Sequence, residues 1–202
     1  MTHLPIVYVV DDDDSMRAAL ADLLASVNLQ ARCFSSTRQF LDSYNDEAPA
    51  CLVLDVRMPG QSGLDFHRQM AGLGLRLPTV FISGHGDIAT GVQAMKNGAI
   101  EFLTKPFRDQ ELLDAIQNGI ETDRTRRVEE SMRAALYDRW NSLSAGEQDV
   151  VRLVVCGLLN KQVADQLHVS EITVKVRRAS AMRKLETETL TDLVRLAQKL
   201  GM

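Results

Sequence analysis

Residues 52–60 read LVLDVRMPG, and this stretch decides the fold. The apolar run Cys51–Leu54 is followed directly by an acid, Asp55, and then by a turn ending in Pro59. A short run of this kind is typical of a strand buried on both faces of a parallel sheet. In open parallel sheets, ligands bind beyond the carboxyl ends of the strands. The stretch therefore predicts a parallel sheet with Asp55 at its ligand-binding edge.

The first 121 residues repeat this pattern, alternating short apolar runs with amphipathic segments. Such alternation is typical of βα units that build a parallel sheet. Helix signals lie between the runs, such as Ser36 with Gln39 at capping-box spacing, Asp87 as a cap, and Gly98 as a helix end. We therefore predict an α/β, doubly wound sheet with five helices. Its five strands are Ile6–Val10, Ala31–Phe34, Cys51–Leu54, Thr79–Ile82 and Glu101–Thr104.

Composition excludes several classes of protein. The chain has 202 residues, 45% of them apolar and 25% charged, which is ordinary for globular domains and unlike disordered or fibrous chains. Its three cysteines are odd in number and lie in apolar runs, which favours free thiols in a reducing compartment. We find neither an apolar run long enough for a membrane span nor a signal peptide, and we expect a cytoplasmic protein without membrane contact.

Charge is distributed unevenly along the chain. Residues 1–121 hold nine Lys and Arg against 16 Asp and Glu, whereas residues 122–202 hold 14 against 11. The acidic part is unsuited to nucleic acid, and the basic part could bind its phosphates. Residues 122–141 contain no glycine or proline and mix both charge signs, which favours a helical linker. We therefore predict three segments: 1–121, the linker 122–141, and 142–202.

Polar side chains follow four of the predicted strands. Asp11–Asp14 follow the first and Asp55 the third, while Ser83 and Lys105 end the fourth and fifth. Carboxylates crowded at one edge need a compensating cation, and oxygen ligands alone favour Mg²⁺. Adding a hydroxyl and an ammonium gives a set suited to phosphoryl transfer onto a carboxylate. The alternative is that the acidic run is a solvated turn in which Asp14 caps the next helix.

These residues resemble the receiver domain of two-component response regulators over roughly residues 4–121. The resemblance implies a flavodoxin-like sheet with strand order 2-1-3-4-5. It implies that Asp55 is the phosphoacceptor and that Asp11 and Asp12 bind Mg²⁺ together with Asp55. Arg57 would supply a backbone carbonyl to the ion, and Asp13 would assist the acid pair.

The resemblance also implies a switch. Ser83 would be the switch hydroxyl and Phe102 the switch aromatic, while Lys105, before a cis Pro106, would pair with the phosphate. Phosphorylation would draw Ser83 toward the phosphate and let Phe102 turn inward. This movement would alter a surface built from a helix at Ile88–Asn97, the fifth strand and the fifth helix.

The C-terminal segment has helix-turn-helix spacing. Gly157 closes one helix, Asn160 caps the next, and Ser170 caps a third. On a helical wheel of this third segment, the apolar residues and the basic residues fall on different faces. A free basic face with small side chains suits a DNA major groove, whereas the alternative is a solvated helix or a small protein-binding module.

This segment resembles the LuxR-type helix-turn-helix of the NarL/FixJ group over residues 142–200. Two positions depart from that family: Gly146 replaces a usual arginine, and Arg177 a usual histidine. The second domain is accordingly predicted to be all-α, with about four helices. The residues expected to contact DNA are Asn160, Lys161, Thr173, Lys175, Val176, Arg177, Arg178, Ala179 and Arg183.

Together the two resemblances imply a FixJ-like response regulator. A sensor histidine kinase would phosphorylate Asp55, and the chain would dimerise, bind promoter DNA and activate transcription with RNA polymerase. A phosphatase of the haloacid dehalogenase type is the enzymatic alternative, but it needs an acid where this chain has Arg57. The third alternative is a receiver that acts as an unphosphorylated scaffold. We expect no enzymatic role beyond slow loss of the phosphate.

Overall fold

The computed structural model describes residues 4–84 and 88–202. The chain divides into two compact units, Met1–Arg127 and Val128–Met202. Within the described ranges, no helix combines the length and the apolar character that a membrane crossing requires. The predicted cap Asp87 lies outside the described residues.

The first unit contains a five-stranded parallel sheet in the order β2-β1-β3-β4-β5, which confirms the predicted fold. The strands extend one residue further than predicted at four places, where β2 and β3 begin and where β3 and β4 end. Their register sets Val10 beside Leu54 and Asp55 beside Ile82. The strand bounds are β1 Ile6–Val10, β2 Gln30–Phe34, β3 Ala50–Asp55, β4 Thr79–Ser83 and β5 Glu101–Thr104.

Five helices cover the two faces of this sheet. They are α1 Asp14–Ser26, α2 Thr37–Ser43, α3 Gly63–Met70, α4 Ile88–Lys96 and α5 Asp109–Asn141. Phe40 of α2 and Phe66 of α3 pack on one face, and Leu24 of α1 and Ile116 of α5 on the other. Because both faces are covered, the central strands β1 and β3 are buried along their whole length.

Several local signals act as the sequence predicts. The Ser36 side chain accepts a hydrogen bond from the N–H of Gln39 at the start of α2. Gly98 has a φ of 91°, and this left-handed conformation ends α4, which glycine adopts without strain. Helix α4 stops at Lys96, one residue before the predicted end.

Helix α5 continues without interruption from Asp109 to Asn141, so the predicted linker is helical. Asp123 in this helix is completely buried. Its carboxylate accepts hydrogen bonds from the backbone N–H of Ala50 at 3.0 Å and from Nε of Arg127 at 2.6 Å. The contact of α5 with β3 therefore reaches Asp123, and Arg127 extends the packing to Asp46 in the loop before β3. The segment bounds 1–121, 122–141 and 142–202 stay a prediction.

The second unit is all-α, as predicted. After the end of α5 it contains α6 Ala145–Val155, α7 Asn160–Leu167, α8 Glu171–Lys184 and α9 Leu190–Lys199. One apolar core joins them, and its fully buried members include Val150, Val163, Val174 and Leu193. This packing leaves the opposite side of α8 exposed.

The helix ends of this unit follow the prediction with one correction. Gly157 is left-handed with a φ of 88°, and Ser170 caps α8 through the N–H of Thr173. Asn160 is not the cap of α7, because Leu159 holds the extended cap conformation and Asn160 is the first helical residue. The Gln162 side chain accepts from the N–H of Leu159 at 2.8 Å and so completes that helix start.

Candidate functional site

Two carboxylates meet where β1 and β3 end side by side. Asp55 is the last residue of β3, and Asp11 follows the last residue of β1. Both side chains are buried, with 5% of Asp55 and 1% of Asp11 exposed. Burying two acids together is costly unless a cation compensates them. Among the described residues, two carboxylates are therefore crowded at this edge, not the three or more that the sequence predicted, and the pair needs a positive partner.

Lys105 is that partner. Its Nζ donates to Oδ2 of Asp11 and to Oδ1 of Asp55, both at 2.8 Å. The peptide bond from Lys105 to Pro106 is cis, as predicted. The backbone N–H of Lys105 also donates to the carbonyl of Ser83 at 2.8 Å, which fixes the end of β5 against the end of β4. The geometry thus brings together residues 11, 55, 83 and 105 at one edge.

The two oxygens of Asp55 have different partners. Oδ1 accepts from Lys105, whereas Oδ2 accepts from the backbone N–H of Arg57 at 2.6 Å. Burial raises the pKa of Asp55 above its ordinary value of 3.8, and the nearby charge of Asp11 acts in the same direction. The hydrogen bonds from Lys105 and Arg57 oppose this rise. They stabilise the ionised carboxylate, which is the nucleophilic form.

The carboxylates of Asp11 and Asp55 also shift the pKa of Lys105. Burial alone would lower the pKa of Lys105, but the hydrogen bonds and charges of Asp11 and Asp55 outweigh it and raise the pKa above 10.5. The lysine is therefore held in its charged form. A fixed ammonium beside a carboxylate nucleophile is the arrangement that neutralises an incoming phosphoryl group.

The run of four acids divides into different roles. Asp11 is buried in the pocket, and its Oδ1 accepts from the N–H of Asp13 at 2.9 Å. Asp13, not Asp14, caps α1, because its side chain accepts from the N–H groups of Ser15 and Met16. Asp14 is the first residue of the helix and forms an ion pair with Arg17. Asp13 is thus engaged at the helix start, and Asp12 is exposed at the pocket.

The donor set fits Mg²⁺. This ion is usually held by one or two carboxylates, with waters and phosphate oxygens completing its octahedron. Asp11 and Asp55 supply two buried carboxylates that already share one cation, Lys105. Across the described residues, no three acidic, histidine or cysteine side chains form a ready metal cluster. The pocket therefore suits an ion that keeps much of its water shell, and not a closed protein cage.

Ser83 and Phe102 lie on the same side of the sheet. Phe102 pairs in register with Phe81, and Ser83 with Thr104, two residues further along each strand. Ser83 is 1% exposed, whereas Phe102 is partly buried and its ring lies 6.4 Å from that of Phe81. Both residues therefore lie on one face of the sheet, on the neighbouring strands β4 and β5, and their roles in a switch stay a prediction.

Sequence reasoning missed Gly63, the first residue of α3. A Cβ atom at this position would collide with the carbonyl oxygen of Asp55. The N–H of Gly63 donates to the carbonyl of Val56 at 3.0 Å, so the helix start lies directly on the end of β3 that carries Asp55. Glycine permits this close approach because it has no side chain. The only signal in the sequence is a glycine eight residues after Asp55, where no helix start was predicted.

The exposed face of α8 carries the second candidate site. Lys175, Val176, Ala179 and Arg183 are all exposed, and Val176 exposes 63% of its surface. Over the described part of the chain, neither Lys175 nor Arg183 forms a hydrogen bond or an ion pair through its side chain. Two unpaired cations beside small apolar side chains suit phosphates and base edges in a groove.

Other predicted DNA contacts have partners inside the unit. Nη1 of Arg178 donates to Oδ1 of Asn160 at 3.4 Å, and the Thr173 hydroxyl lies 2.8 Å from that of Ser170. Lys161 is exposed on α7. The Arg178–Asn160 hydrogen bond links α8 to α7, whereas the Thr173–Ser170 contact lies within the start of α8.

The two departures from the LuxR pattern lie next to each other. A Cβ atom at Gly146 would lie 2.8 Å from Cζ of Arg177. The guanidinium of Arg177 thus packs across the backbone of α6, and the glycine makes this contact possible. Arg177 is partly buried for the same reason.

Comparison with known families decides the identity. A model of the response regulator receiver domain matches residues 7–117, and one of the luxR family of bacterial regulatory proteins matches residues 141–197. The chain belongs to the response regulator family. It combines a receiver domain with a LuxR-type DNA-binding domain, as the sequence predicted.

Relatives of this response regulator match along nearly the whole chain. Nodulation protein W of Bradyrhizobium diazoefficiens is 50% identical over 97% of this chain and 86% of that protein. The transcriptional regulatory protein FixJ of the same bacterium is 37% identical over 100% of this chain and 98% of its own. These proteins place the response regulator in the FixJ-like group.

Solved structures agree with this assignment. The response regulator StyR matches with a TM-score of 0.88 at 44% identity, covering 98% of this chain and 100% of that one. Full-length FixJ from B. japonicum matches with a TM-score of 0.58 at 37% identity, covering 100% and 99%. The response regulator is a transcription regulator of a two-component system, which implies a kinase partner and promoter DNA. The phosphatase alternative is therefore wrong, because the family is regulatory and not a class of enzymes.

Proposed function

We propose that a sensor histidine kinase phosphorylates Asp55 and that the phosphate converts the response regulator into a dimer that binds promoter DNA and activates transcription with RNA polymerase. The observation that carries this proposal is the shared ammonium of Lys105 between the buried carboxylates of Asp11 and Asp55. This pocket holds a nucleophile, an acidic partner and a fixed cation within hydrogen-bonding distance.

The transfer step follows from the partners of Asp55. A carboxylate oxygen of Asp55 attacks the phosphorus of a phosphohistidine; the new O–P bond forms as the P–N bond breaks, and the imidazole leaves with its electron pair. Lys105 neutralises charge on the arriving phosphoryl oxygens, and the N–H of Arg57 orients the carboxylate. Water attack on the acyl phosphate later removes the phosphate slowly and resets the protein.

Mg²⁺ is the cofactor that this proposal includes. Asp11, Asp12 and Asp55, with the carbonyl of Arg57, would hold the ion. When bound, it would offset the negative charge of the phosphoryl group and of the acids that surround it. Asp11 is kept in the pocket by the N–H of Asp13 and by Lys105, so the acid is oriented before any ion arrives.

The switch connects the pocket to a surface. Ser83 moves toward the phosphate, and Phe102 turns into the space that it leaves. The surface affected lies on α4 and β5, where Ile88, Val92 and Met95 expose 87%, 47% and 44% of their areas. Exposed apolar side chains on one helix favour association with a second copy. Dimerisation then brings two α8 helices to paired half-sites and strengthens DNA binding through effective concentration.

The direct test is phosphate uptake by the full chain. With Mg²⁺ and labelled acetyl phosphate, wild type is expected to incorporate label and Asp55→Asn is expected to fall to background, because an amide is not a nucleophile toward phosphorus. Asp22→Asn is the matched control, since it makes the same change at an exposed acid of α1 that has no assigned role in the pocket. Labelling of the Asp55→Asn protein at the wild-type level would refute the assignment of the phosphoacceptor.

A second experiment tests the link to DNA. Promoter fragments recovered with the full chain should increase in number or affinity when beryllofluoride and Mg²⁺ are added. The Asp55→Asn protein should show no such increase. Equal recovery of DNA by wild type with and without beryllofluoride would contradict the proposed coupling.

A further inference from the structure

Helix α4 contains a glycine at its centre, Gly91, which packs against the ring of Phe102. A Cβ atom at Gly91 would lie 3.2 Å from Cδ1 of the ring and 3.5 Å from Cε1 and Cγ. These distances place Cδ1 of the ring, with its neighbours Cγ and Cε1, next to the backbone of the helix. The contact lies in the wall of a groove of about 550 Å³ between α4 and β5, lined also by Val92, Met95 and Glu101.

A glycine inside a helix is unfavourable by itself. It destabilises a helix interior relative to alanine, because a chain with glycine loses more conformational freedom when it folds. The φ of Gly91 is not in the left-handed region, so the backbone at this position does not require glycine. What the glycine provides is room for the ring of Phe102, which is only partly buried and stays in the groove wall.

We infer that Gly91 is a positioning residue of the switch. Because it has no side chain, the ring of Phe102 can lie outward against α4, and this contact sets the fraction of the response regulator that is active without phosphate. This inference rests on the proposed function, in which Phe102 turns inward upon phosphorylation.

The direction of the effect follows from the geometry. A methyl group at Gly91 crowds the ring only in the outward position, because the inward position removes the ring from α4. The contact at 3.2 Å is tighter than van der Waals distance, so the outward form must shift or lose stability. Ser83 is 1% exposed, and in the proposed switch its movement toward the phosphate leaves the space that the ring enters. Whether the ring moves or is merely strained, the equilibrium shifts toward the active form.

The test compares wild type with Gly91→Ala in the full chain. Without phosphate, the variant is expected to form dimer and to bind promoter DNA at least about fivefold better than wild type, and to need less beryllofluoride for half-maximal dimerisation. Dimer is measured by analytical ultracentrifugation, and the ring is followed directly by fluorine NMR of 4-fluorophenylalanine placed at position 102. The resonance of the variant should lie closer to that of the beryllofluoride-bound wild type.

A second background separates the effect of Gly91→Ala on the position of the ring from its effect on helix stability. Alanine also stabilises α4, and this effect does not depend on Phe102. In a Phe102→Ala background, Gly91→Ala should therefore leave unphosphorylated dimer and DNA binding unchanged. An equal increase in both backgrounds would overturn the inference, as would a basal level of dimer in Gly91→Ala equal to that of wild type.

The wild-type protein with beryllofluoride distinguishes failure of the proposed switch from failure of the role assigned to Gly91. If it neither dimerises nor shifts the fluorine resonance, the proposed switch itself fails. If it does both and Gly91→Ala behaves like wild type without phosphate, only the role of Gly91 fails. Melting of each variant by circular dichroism shows whether it is folded, and the fluorine spectrum reports the ring position in the folded protein even where dimerisation is weak.

Discussion

The receiver pocket and the exposed face of α8 use charge in opposite ways. In the pocket, Asp11, Asp55 and Lys105 are buried or nearly so and bonded to one another. On α8, Lys175 and Arg183 are exposed and unpaired among the described residues. The residues of the pocket therefore contribute to the packing of the receiver. The exposed face of α8, the recognition face, contributes nothing to the packing of the second unit. Substitutions should reduce stability in the first region and alter only binding in the second.

The largest stability effect is expected at Asp123, on the receiver side of this comparison. Asp123→Ala removes the acceptor of the Ala50 N–H and leaves Arg126 and Arg127 without their buried carboxylate. Breaking a buried ion pair in this way costs about 4 kcal/mol. Calorimetric melting of the full chain should show the receiver transition strongly lowered.

The control for Asp123 is the exposed Asp22 of α1. Its replacement by alanine should change the unfolding free energy by less than about 0.5 kcal/mol, as is usual for surface positions. Similar melting curves for the two variants would mean that α5 does not depend on Asp123 for its packing against β3.

Gly63 gives the next largest effect. Gly63→Ala places a methyl group into the carbonyl oxygen of Asp55 and must push α3 away from the end of β3. Such overpacking costs about 3 kcal/mol, and it also displaces the nucleophile. Gly72→Ala is the matched control, since a Cβ there meets nothing within 4 Å. The melting temperature measured by calorimetry and the phosphate uptake should both be reduced in Gly63→Ala and normal in Gly72→Ala.

These two residues show where sequence reasoning ends. The strands, Asp55, Lys105 and the caps Ser36 and Ser170 were predictable because each signal is local or lies at a strand end. Asp123 was not, since its partner Ala50 is 73 residues away and its neighbours form a mixed-charge run typical of a linker. Contacts across the fold are absent from such patterns.

Adjacent identical or similar residues set a second limit. Four consecutive acids offered several caps for α1, and only the extended backbone of Asp13, with a φ of −82° and a ψ of 114°, selects it over Asp14. At the start of α7, the backbone conformation likewise selects Leu159 as the cap over the neighbouring Asn160. Gly63 and Gly91 are a further case, because their roles depend on which atoms lie against them and not on the residues beside them in sequence.

Glu147 sharpens the comparison because it binds Lys184, a residue of α8 that is not among the exposed residues of the second candidate site. Lys184 Nζ donates to Oε2 of Glu147 at 2.7 Å and, with Ser180 and Ser144, lowers the pKa of Glu147 from 4.5 to about 2. A carboxylate whose pKa is lowered by folding stabilises the folded state above pH 4.5 and loses that contribution as the pH falls toward 2. Glu147→Gln should therefore destabilise the second unit by about 2 kcal/mol at neutral pH.

Fluorescence of Trp140, the single tryptophan of the chain, reports on this unit. In urea unfolding, the difference between wild type and Glu147→Gln should shrink as the pH is lowered from 4.5 toward 2. The exposed Glu188 offers a control, since Glu188→Gln should show little difference at any pH. A gap between wild type and Glu147→Gln that is constant with pH would show that the ion pair with Lys184 does not stabilise the unit.

The smallest effect is expected at Lys175, and it should appear in binding alone. Lys175→Ala removes one exposed cation from α8 without disturbing the core, so the melting curve should be unchanged. Affinity for promoter DNA should fall by about 1 kcal/mol, and the slope of log affinity against log salt should decrease by about 1, because one fewer phosphate is neutralised. Lys199→Ala, an exposed lysine at the end of α9, should change neither value. A changed melting curve for Lys175→Ala, or an unchanged salt slope, would break the separation between recognition and stability on which the comparison rests.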